Sequence, residues 1–105
     1  MKFQELPFHV QILLSFQRAL WDMVTPALRA VAVRPEGPIV RARFLYEMEP
    51  GEAEREIVAE VEAYVLADFD ESIDAKFQAE HLPTESIRVA EPDEQWVYRR
   101  CESDE

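Results

Sequence analysis

The apolar positions near the start of the chain recur at intervals of three and four residues. Between residues 5 and 24 they are Leu6, Val10, Leu13, Leu14, Phe16, Leu20, Trp21 and Val24. This period is that of an α-helix with a broad buried face. Pro7 suits a first turn, because a proline there loses no intrahelical hydrogen bond. Thr25-Pro26 ends the pattern, since a proline disfavours helical backbone in the residue before it. We predict a helix over 5–24.

Two stretches of strand-like sequence follow, at residues 28–34 and 39–46, and the turn residues 35–38 separate them. Side chains alternate between the two faces of a strand. In the second stretch one face carries Val40, Ala42, Phe44 and Tyr46. The other carries Ile39, Arg41, Arg43 and Leu45. The pattern predicts a hairpin with one core face and one partly wet face.

A second helix is predicted over 52–67, after the break at Pro50-Gly51. Residues 73–82 then alternate as a third strand, which ends before Pro83. Its core face is predicted to carry Ile73, Ala75, Phe77 and Ala79. Residues 83–94 have the composition of a loop, in which 87–89 could add a short edge strand, and 95–101 form the last predicted strand.

The element order α-β-β-α-β-β predicts an α+β fold, a two-layer sandwich. Both helices would pack on one face of a mainly antiparallel sheet. With 105 residues the chain makes one domain, residues 1–105. We expect residues 102–105 to be a frayed tail, because no apolar residue there joins the core.

Charge is divided unevenly along the chain. Residues 1–46 hold six Lys/Arg and three Asp/Glu, whereas residues 47–105 hold five and nineteen. The two parts carry about +3 and −14, consistent with the net charge of −11. Nucleic-acid binders gain affinity by placing Lys and Arg against phosphates, so this balance argues against a nucleic-acid ligand.

Cysteine content and hydropathy bear on the compartment. The single Cys101 cannot form an internal disulfide, which fits a reducing cytoplasm. The N-terminus lacks the pattern of a secretory signal. The most apolar stretch, 6–24, is interrupted by polar and charged residues, so we predict no membrane span. The expected localisation is cytoplasmic.

One acidic segment resembles a calcium loop at its start. Alternate oxygen ligands follow the second helix, at Asp68, Asp70, Ser72 and Asp74. The resemblance then fails, because Ile73 stands where the loop needs glycine and Ala79 where it needs glutamate. We therefore predict an acidic connection and no metal site.

No constellation for catalysis is present. His9 has no second ligand or base at helical spacing, and His81 stands at the end of a strand. Gly37 and Gly51 are the two glycines of the chain, too few for a phosphate-binding loop. We expect no catalytic residue and no cofactor, and therefore a protein that is not an enzyme.

The strongest candidate for function is an acidic surface on and after the second helix. On the charge argument alone, the candidate partner-binding residues are Glu52, Glu56, Glu60, Glu62, Asp68, Asp70 and Glu71. Such acids steer a basic protein partner towards the surface, while a few desolvated side chains anchor it. Trp96, Tyr98 and Tyr46 would be anchors if exposed. The alternative is a solvated face that only keeps the protein soluble.

Four phrases of the sequence resemble a known class of protein. They are LLSFQRAL, TPALRAVAVR, IVRARFLY and EREIVAEVEAYVLADF. Together, over about residues 6–70, they resemble small acidic bacterial immunity proteins of the contact-dependent growth-inhibition type. The resemblance implies a protein that is encoded beside a toxin, binds its C-terminal domain and blocks it. It implies no catalytic residue and assigns no binding residue.

The leading hypothesis is an immunity-type inhibitor that occludes the active site of a cognate toxin domain. We expect that domain to be a basic nuclease, whose active site attracts phosphate. The alternative is a homodimeric structural or adaptor protein. Its support is the exposed sheet face at Ile39 and Leu45, with edge strands at 87–89 and 95–101. A small-ligand pocket between helices and sheet is a third hypothesis.

Overall fold

The computed structural model describes residues 2–103. Its elements are a 3-10 turn at Phe3–Glu5, α1 at Phe8–Ala19, β1 at Leu28–Glu36, β2 at Ile39–Tyr46, α2 at Glu52–Ala67, β3 at Asp74–His81 and β4 at Gln95–Arg99. The predicted α-β-β-α-β-β order and the α+β class are confirmed. No described helix is both long and apolar enough to cross a bilayer.

The sheet has the strand order β3-β2-β1-β4. β1 lies antiparallel to both β2 and β4, while β2 and β3 are parallel. The sheet is therefore mixed, with antiparallel pairs in the majority. The parallel pair follows from α2, because strands that run in the same direction need a long crossover between them.

The hydrophobic core lies between the two helices and one face of the sheet. Its helical members are Ile12, Phe16 and Ala19 from α1 and Val58, Val61 and Val65 from α2. The sheet contributes Val31 and Val33 from β1 and the alternate residues Val40, Ala42, Phe44 and Tyr46 from β2. Phe77 of β3 stacks on Phe16, with ring centroids 5.3 Å apart. The predicted core face of β2 is confirmed, and Ile73, Phe77 and Ala79 of the face predicted for β3 pack against the core.

The connection from β3 to β4 covers the opposite face of the sheet. These strands lie at the two edges, so residues 82–94, which we call the strap, must cross the intervening strands. Three arginines tie the strap down. Arg29 donates hydrogen bonds to the carbonyls of Leu82, Pro83 and Ser86. Arg43 donates to the carbonyl of Val89. From the strap itself, Arg88 donates to the carbonyl of Arg29.

The sheet face under the strap was predicted to be partly wet. That prediction is wrong at Leu45, which is only 2% exposed.

The edge strand that the sequence suggested at 87–89 does not form. Arg88 is buried between its neighbours, and its guanidinium donates to the carbonyls of Arg29 and Arg100. Ile87 and Val89 are therefore left in water, 72% and 65% exposed. A strand packed on this face would bury the apolar side chains of Ile87 and Val89 and expose residue 88. The structure has the opposite order, with Arg88 buried.

The first helix is shorter than its apolar pattern predicted. It begins at Phe8, because Leu6 and Pro7 have extended ψ angles. It ends at Ala19, and the next residues form tight turns in which Trp21 and Met23 donate to the carbonyls of Arg18 and Leu20. Of the apolar residues that extended the pattern past Ala19, Leu20 packs against the core, whereas Trp21 and Val24 are exposed.

The tail is ordered further than expected. Glu102 was predicted to be frayed, but its carboxylate accepts two hydrogen bonds from Arg29, at 2.9 and 2.7 Å. The side chain of Arg29 is fully buried, so this carboxylate is its counterion. The rest of the predicted tail, from residue 104, lies outside the described residues.

Tyr46 offers a test of the core. It is fully buried, and among residues 2–103 its hydroxyl has no hydrogen-bond partner. Burial, with the nearby charge of Glu54, raises the pKa of Tyr46 to about 12. An unpaired buried hydroxyl is unfavourable, so Tyr46→Phe should leave the free energy of unfolding unchanged or raise it by about 1 kcal/mol. Tyr46→Ala should lower it by about 3 kcal/mol. Urea unfolding measures both, and a loss above about 1 kcal/mol in Tyr46→Phe would contradict the assignment.

Glu102 should make stability depend on pH in acid. Hydrogen bonds from Arg29, with the charges of Arg29 and Arg88, lower its pKa from 4.5 to about 2. A depressed carboxyl pKa stabilises the fold above the unfolded-state value. We therefore expect this contribution to be complete above pH 4.5 and to be lost as the pH falls towards 2.

Glu102→Gln should remove that acid dependence and lower the free energy of unfolding at pH 7 by about 2 kcal/mol, because Arg29 loses its charged partner. Urea unfolding at pH 7, 4 and 3 measures both effects. Glu85→Gln is the control, since Glu85 is an exposed carboxylate of the strap. Equal acid sensitivity of Glu102→Gln and the unmodified chain would refute the role of Glu102.

Candidate partner-binding surface

The outer face of α2 carries a row of exposed side chains. Glu52, Glu56, Glu60 and Tyr64 follow one another at intervals of four and are all exposed. Residues four apart lie above one another on a helix, so the four form one line along it. Val58, Val61 and Val65 occupy the buried side. We call Glu52, Glu56 and Glu60 the acidic ridge.

The charge of the acidic ridge is not compensated by the described residues. In the part of the chain from 2 to 103, no ion pair involves any of the three carboxylates. Arg55, the cation on the same helix, donates instead to the carbonyl of Pro50 at 2.9 Å. Like charges four residues apart on a helix cost a few tenths of a kcal/mol per pair. The ridge therefore projects a negative field into solvent.

Glu62 and Asp68, two other candidate residues, bind groups of the protein itself. Glu62 accepts a hydrogen bond from the backbone N–H of Phe77, at 3.0 Å. This contact satisfies a donor on the outer edge of β3, an edge that would otherwise be open to another strand. Asp68 accepts hydrogen bonds from the hydroxyl of Ser15, at 2.6 Å, and from Arg18, at 3.2 Å. It thereby joins the ends of α1 and α2.

Asp70 and Glu71 lie in the turn before β3 and are exposed. Asp70 accepts hydrogen bonds from both the hydroxyl and the backbone N–H of Ser72, and these lower its pKa. Asp74 binds the backbone N–H of the next residue. The acidic segment that resembles a calcium loop is thus an ordinary turn in which side chains satisfy backbone donors. Among residues 2–103, no three acidic, histidine or cysteine side chains group as metal ligands.

The aromatic residues proposed as anchors are not the exposed ones. Tyr46 is fully buried, and Trp96 and Tyr98 are half-buried. The guanidinium of Arg99 lies 5.2 Å from the centre of the Trp96 ring. The most exposed aromatic side chains of the described residues are Trp21 and Tyr64, 67% and 60% exposed.

The apolar pattern of residues 5–24 predicts a buried Trp21, and Tyr64 likewise lies at helical spacing from Ile57 and Val61, so periodicity marks neither residue as exposed. Trp21 escapes burial because α1 ends two residues earlier and the chain turns. Tyr64 lies at the border of the buried stripe, one turn after Glu60. One signal in the sequence indicated that Tyr64 is exposed. It follows Glu52, Glu56 and Glu60 at intervals of four, which places it on the same face of the helix as these charged residues.

Trp21 and Tyr64 line the same cleft, where the turn after α1 faces the last turns of α2. Its volume is about 370 Å³, and Asp22, Asp68 and Arg18 also line it. We call it the Trp21–Tyr64 cleft. The acidic ridge and this cleft form one continuous surface, because Tyr64 belongs to the same line of residues as the ridge. This surface combines uncompensated negative charge with exposed aromatic rings, the composition of a protein-binding site.

Comparison with known proteins places the chain in a family. The family model described as MafI2 immunity protein matches residues 9–102. The match spans most of the chain, including both helices and all four strands, so the chain belongs to the MafI2 immunity protein family. The resemblance to bacterial immunity proteins is thereby confirmed. No curated protein matches the chain.

Proposed function

We propose that this member of the MafI2 immunity protein family binds the toxic domain of a cognate bacterial toxin and neutralises it. Family membership supports the immunity role. The observation that carries the binding mode is the acidic ridge, whose three exposed carboxylates take part in no ion pair within residues 2–103. The partner is a basic protein domain, and the proposed system is of the contact-dependent growth-inhibition type.

The proposed mechanism is occlusion. A domain that acts on nucleic acid must attract phosphate, so its active site lies in a positive field. An acidic protein is drawn to the same field and raises its own association rate by long-range steering. Once bound, it excludes the substrate by its bulk. This mechanism needs no catalytic group on the inhibitor. We place it in the bacterial cytoplasm, where a nuclease would meet its substrate.

The experiment for this function is co-expression with the C-terminal domain of the protein encoded immediately upstream. The expected result is relief of the growth defect that this domain causes alone, together with co-purification of the two proteins at physiological salt. A harmless domain, or a toxic one that neither binds nor is neutralised, would refute the proposal. A nuclease assay on the purified domain tests the chemistry of the target separately.

The ridge should govern the rate of association. Glu56→Lys with Glu60→Lys changes the local charge by +4, so the association rate constant at low salt should fall about tenfold and depend less on salt. Stopped-flow mixing across a salt series measures both quantities. Glu49→Lys with Glu85→Lys is the matched control, because it makes the same change of net charge at exposed positions outside α2. If both pairs slow association equally, net charge acts and the ridge has no special role.

The features that supported the alternative, a homodimeric adaptor, are altered in the structure. Leu45 lies buried on the face that the strap crosses, and residues 87–89 form no edge strand. A donor on the β3 edge is occupied by Glu62. The opposite edge strand, β4, has five residues. Toxin binding through α2 therefore has the stronger structural support.

A further inference from the structure

We propose that the Trp21–Tyr64 cleft is the anchor point of the toxin interface and receives one arginine or lysine side chain of the cognate toxin domain. This inference rests on the proposed function and adds to it a site, its residues and the chemistry of what it binds. The charge argument from the sequence did not propose Trp21, Asp22 or Tyr64 as binding residues.

The two rings supply the first argument. Trp21 and Tyr64 keep most of their surface in water, although large aromatic side chains gain free energy when buried. Both line one concave site, so a single inserted group can contact them together. Tryptophan and tyrosine are enriched among the few interface residues that carry most of the binding energy. Their faces also attract cations, arginine above all.

The charges of the cleft supply the second argument. Asp68 is already paired with Arg18 and Ser15. Asp22 is exposed, and among residues 2–103 its carboxylate takes part in no ion pair or side-chain hydrogen bond. With Asp22, Asp68 and Arg18 the cleft has a local charge of −1, and Glu60 adds its field from one turn away. The cleft thus complements a cation.

The backbone of Asp22 is a third observation. Its φ angle is +64°, in the left-handed region that glycine adopts at least cost. An aspartate here is strained relative to glycine, and its side chain has no visible role in the fold. Aspartate is among the residues that adopt this conformation most readily after glycine, so the turn allows this carboxylate to line the cleft.

The position of the cleft explains why a partner would reach it. A basic domain steered to the acidic ridge meets Tyr64 at the end of the same line of residues. Long-range attraction brings the domain to the surface. One cationic side chain of the domain then inserts between the aromatic rings of Trp21 and Tyr64 and the carboxylate of Asp22, and this contact holds the domain in place. The first step sets the association rate and the second the dissociation rate.

The experiment measures the affinity of cleft variants for the upstream-encoded C-terminal domain, by surface plasmon resonance. Trp21→Ala and Tyr64→Ala should each weaken binding about 30-fold, mainly through faster dissociation. Asp22→Asn should weaken it about tenfold, because asparagine tolerates the same backbone conformation but lacks the charge. Asp93→Asn is the matched control, since Asp93 is exposed on the strap with a φ of +67°. It should bind as the unmodified protein does.

Fluorescence reports contact directly. In a Trp96→Phe background Trp21 is the sole tryptophan, so its emission should shift to the blue when the toxin domain covers the cleft. Thermal unfolding checks that the exposed substitutions leave the fold intact. Unchanged affinity in the three cleft variants, or unchanged Trp21 emission on binding, would overturn the cleft while the proposed function stood. Absence of binding by the unmodified protein would overturn both. Cleft variants that change self-association and leave toxin binding intact would assign the cleft to a second copy of this chain, which also overturns the proposal.

Discussion

The buried guanidinium of Arg29 is the constraint on which the strap side of the sheet depends. A charge without access to water is tolerated only when its donors are satisfied and a counterion is present. Arg29 meets both conditions by binding three carbonyls of the strap and the carboxylate of Glu102. The strap and the end of the chain must therefore be in place for this side chain to be buried at all. One residue of β1 thus holds in place two segments that contribute no residue to the buried hydrophobic core.

This constraint also explains the uneven charge of the sequence. The arginines of the basic first part are used within the fold, where Arg29 pairs with Glu102 and Arg43 with Glu94. Arg18 pairs with Asp68, and Arg100 from the acidic part pairs with Glu47. These arginines thus form ion pairs at the strap, at the sheet and at the helix ends. Among residues 2–103, the carboxylates that take part in no ion pair include the three of the acidic ridge and others outside α2, at Asp22, Glu71 and Asp93.

The two sides suit different tasks. The strap side is closed by hydrogen bonds to carbonyls and by paired carboxylates, and it keeps scattered exposed carboxylates such as Glu85 and Asp93. The α2 side offers free carboxylates on a helix whose opposite face is packed into the core, so the ridge is held rigidly. A rigid charged surface with aromatic rings at one end loses little conformational entropy when it binds. In the proposed mode of toxin binding, the field would bring the partner in and the rings would retain it.

The local pattern of apolar and polar residues determined several elements of the fold by itself. The bounds of β2 and α2 and the core face of β3 follow from residue periodicity, because burial against one neighbouring layer imposes a period of 2.0 or 3.6. The acids of the ridge could also be named from the sequence, since a helix places Glu52, Glu56 and Glu60 on one line. The tertiary structure decided the rest: the parallel pairing of β2 with β3, the covering of Leu45, the ordering of Glu102 and the exposure of Trp21. The first three depend on contacts between residues far apart in the chain, those of Arg29 among them, which a residue's neighbours in sequence do not reveal. The exposure of Trp21 depends on where α1 ends and the chain turns, which the apolar period by itself does not reveal.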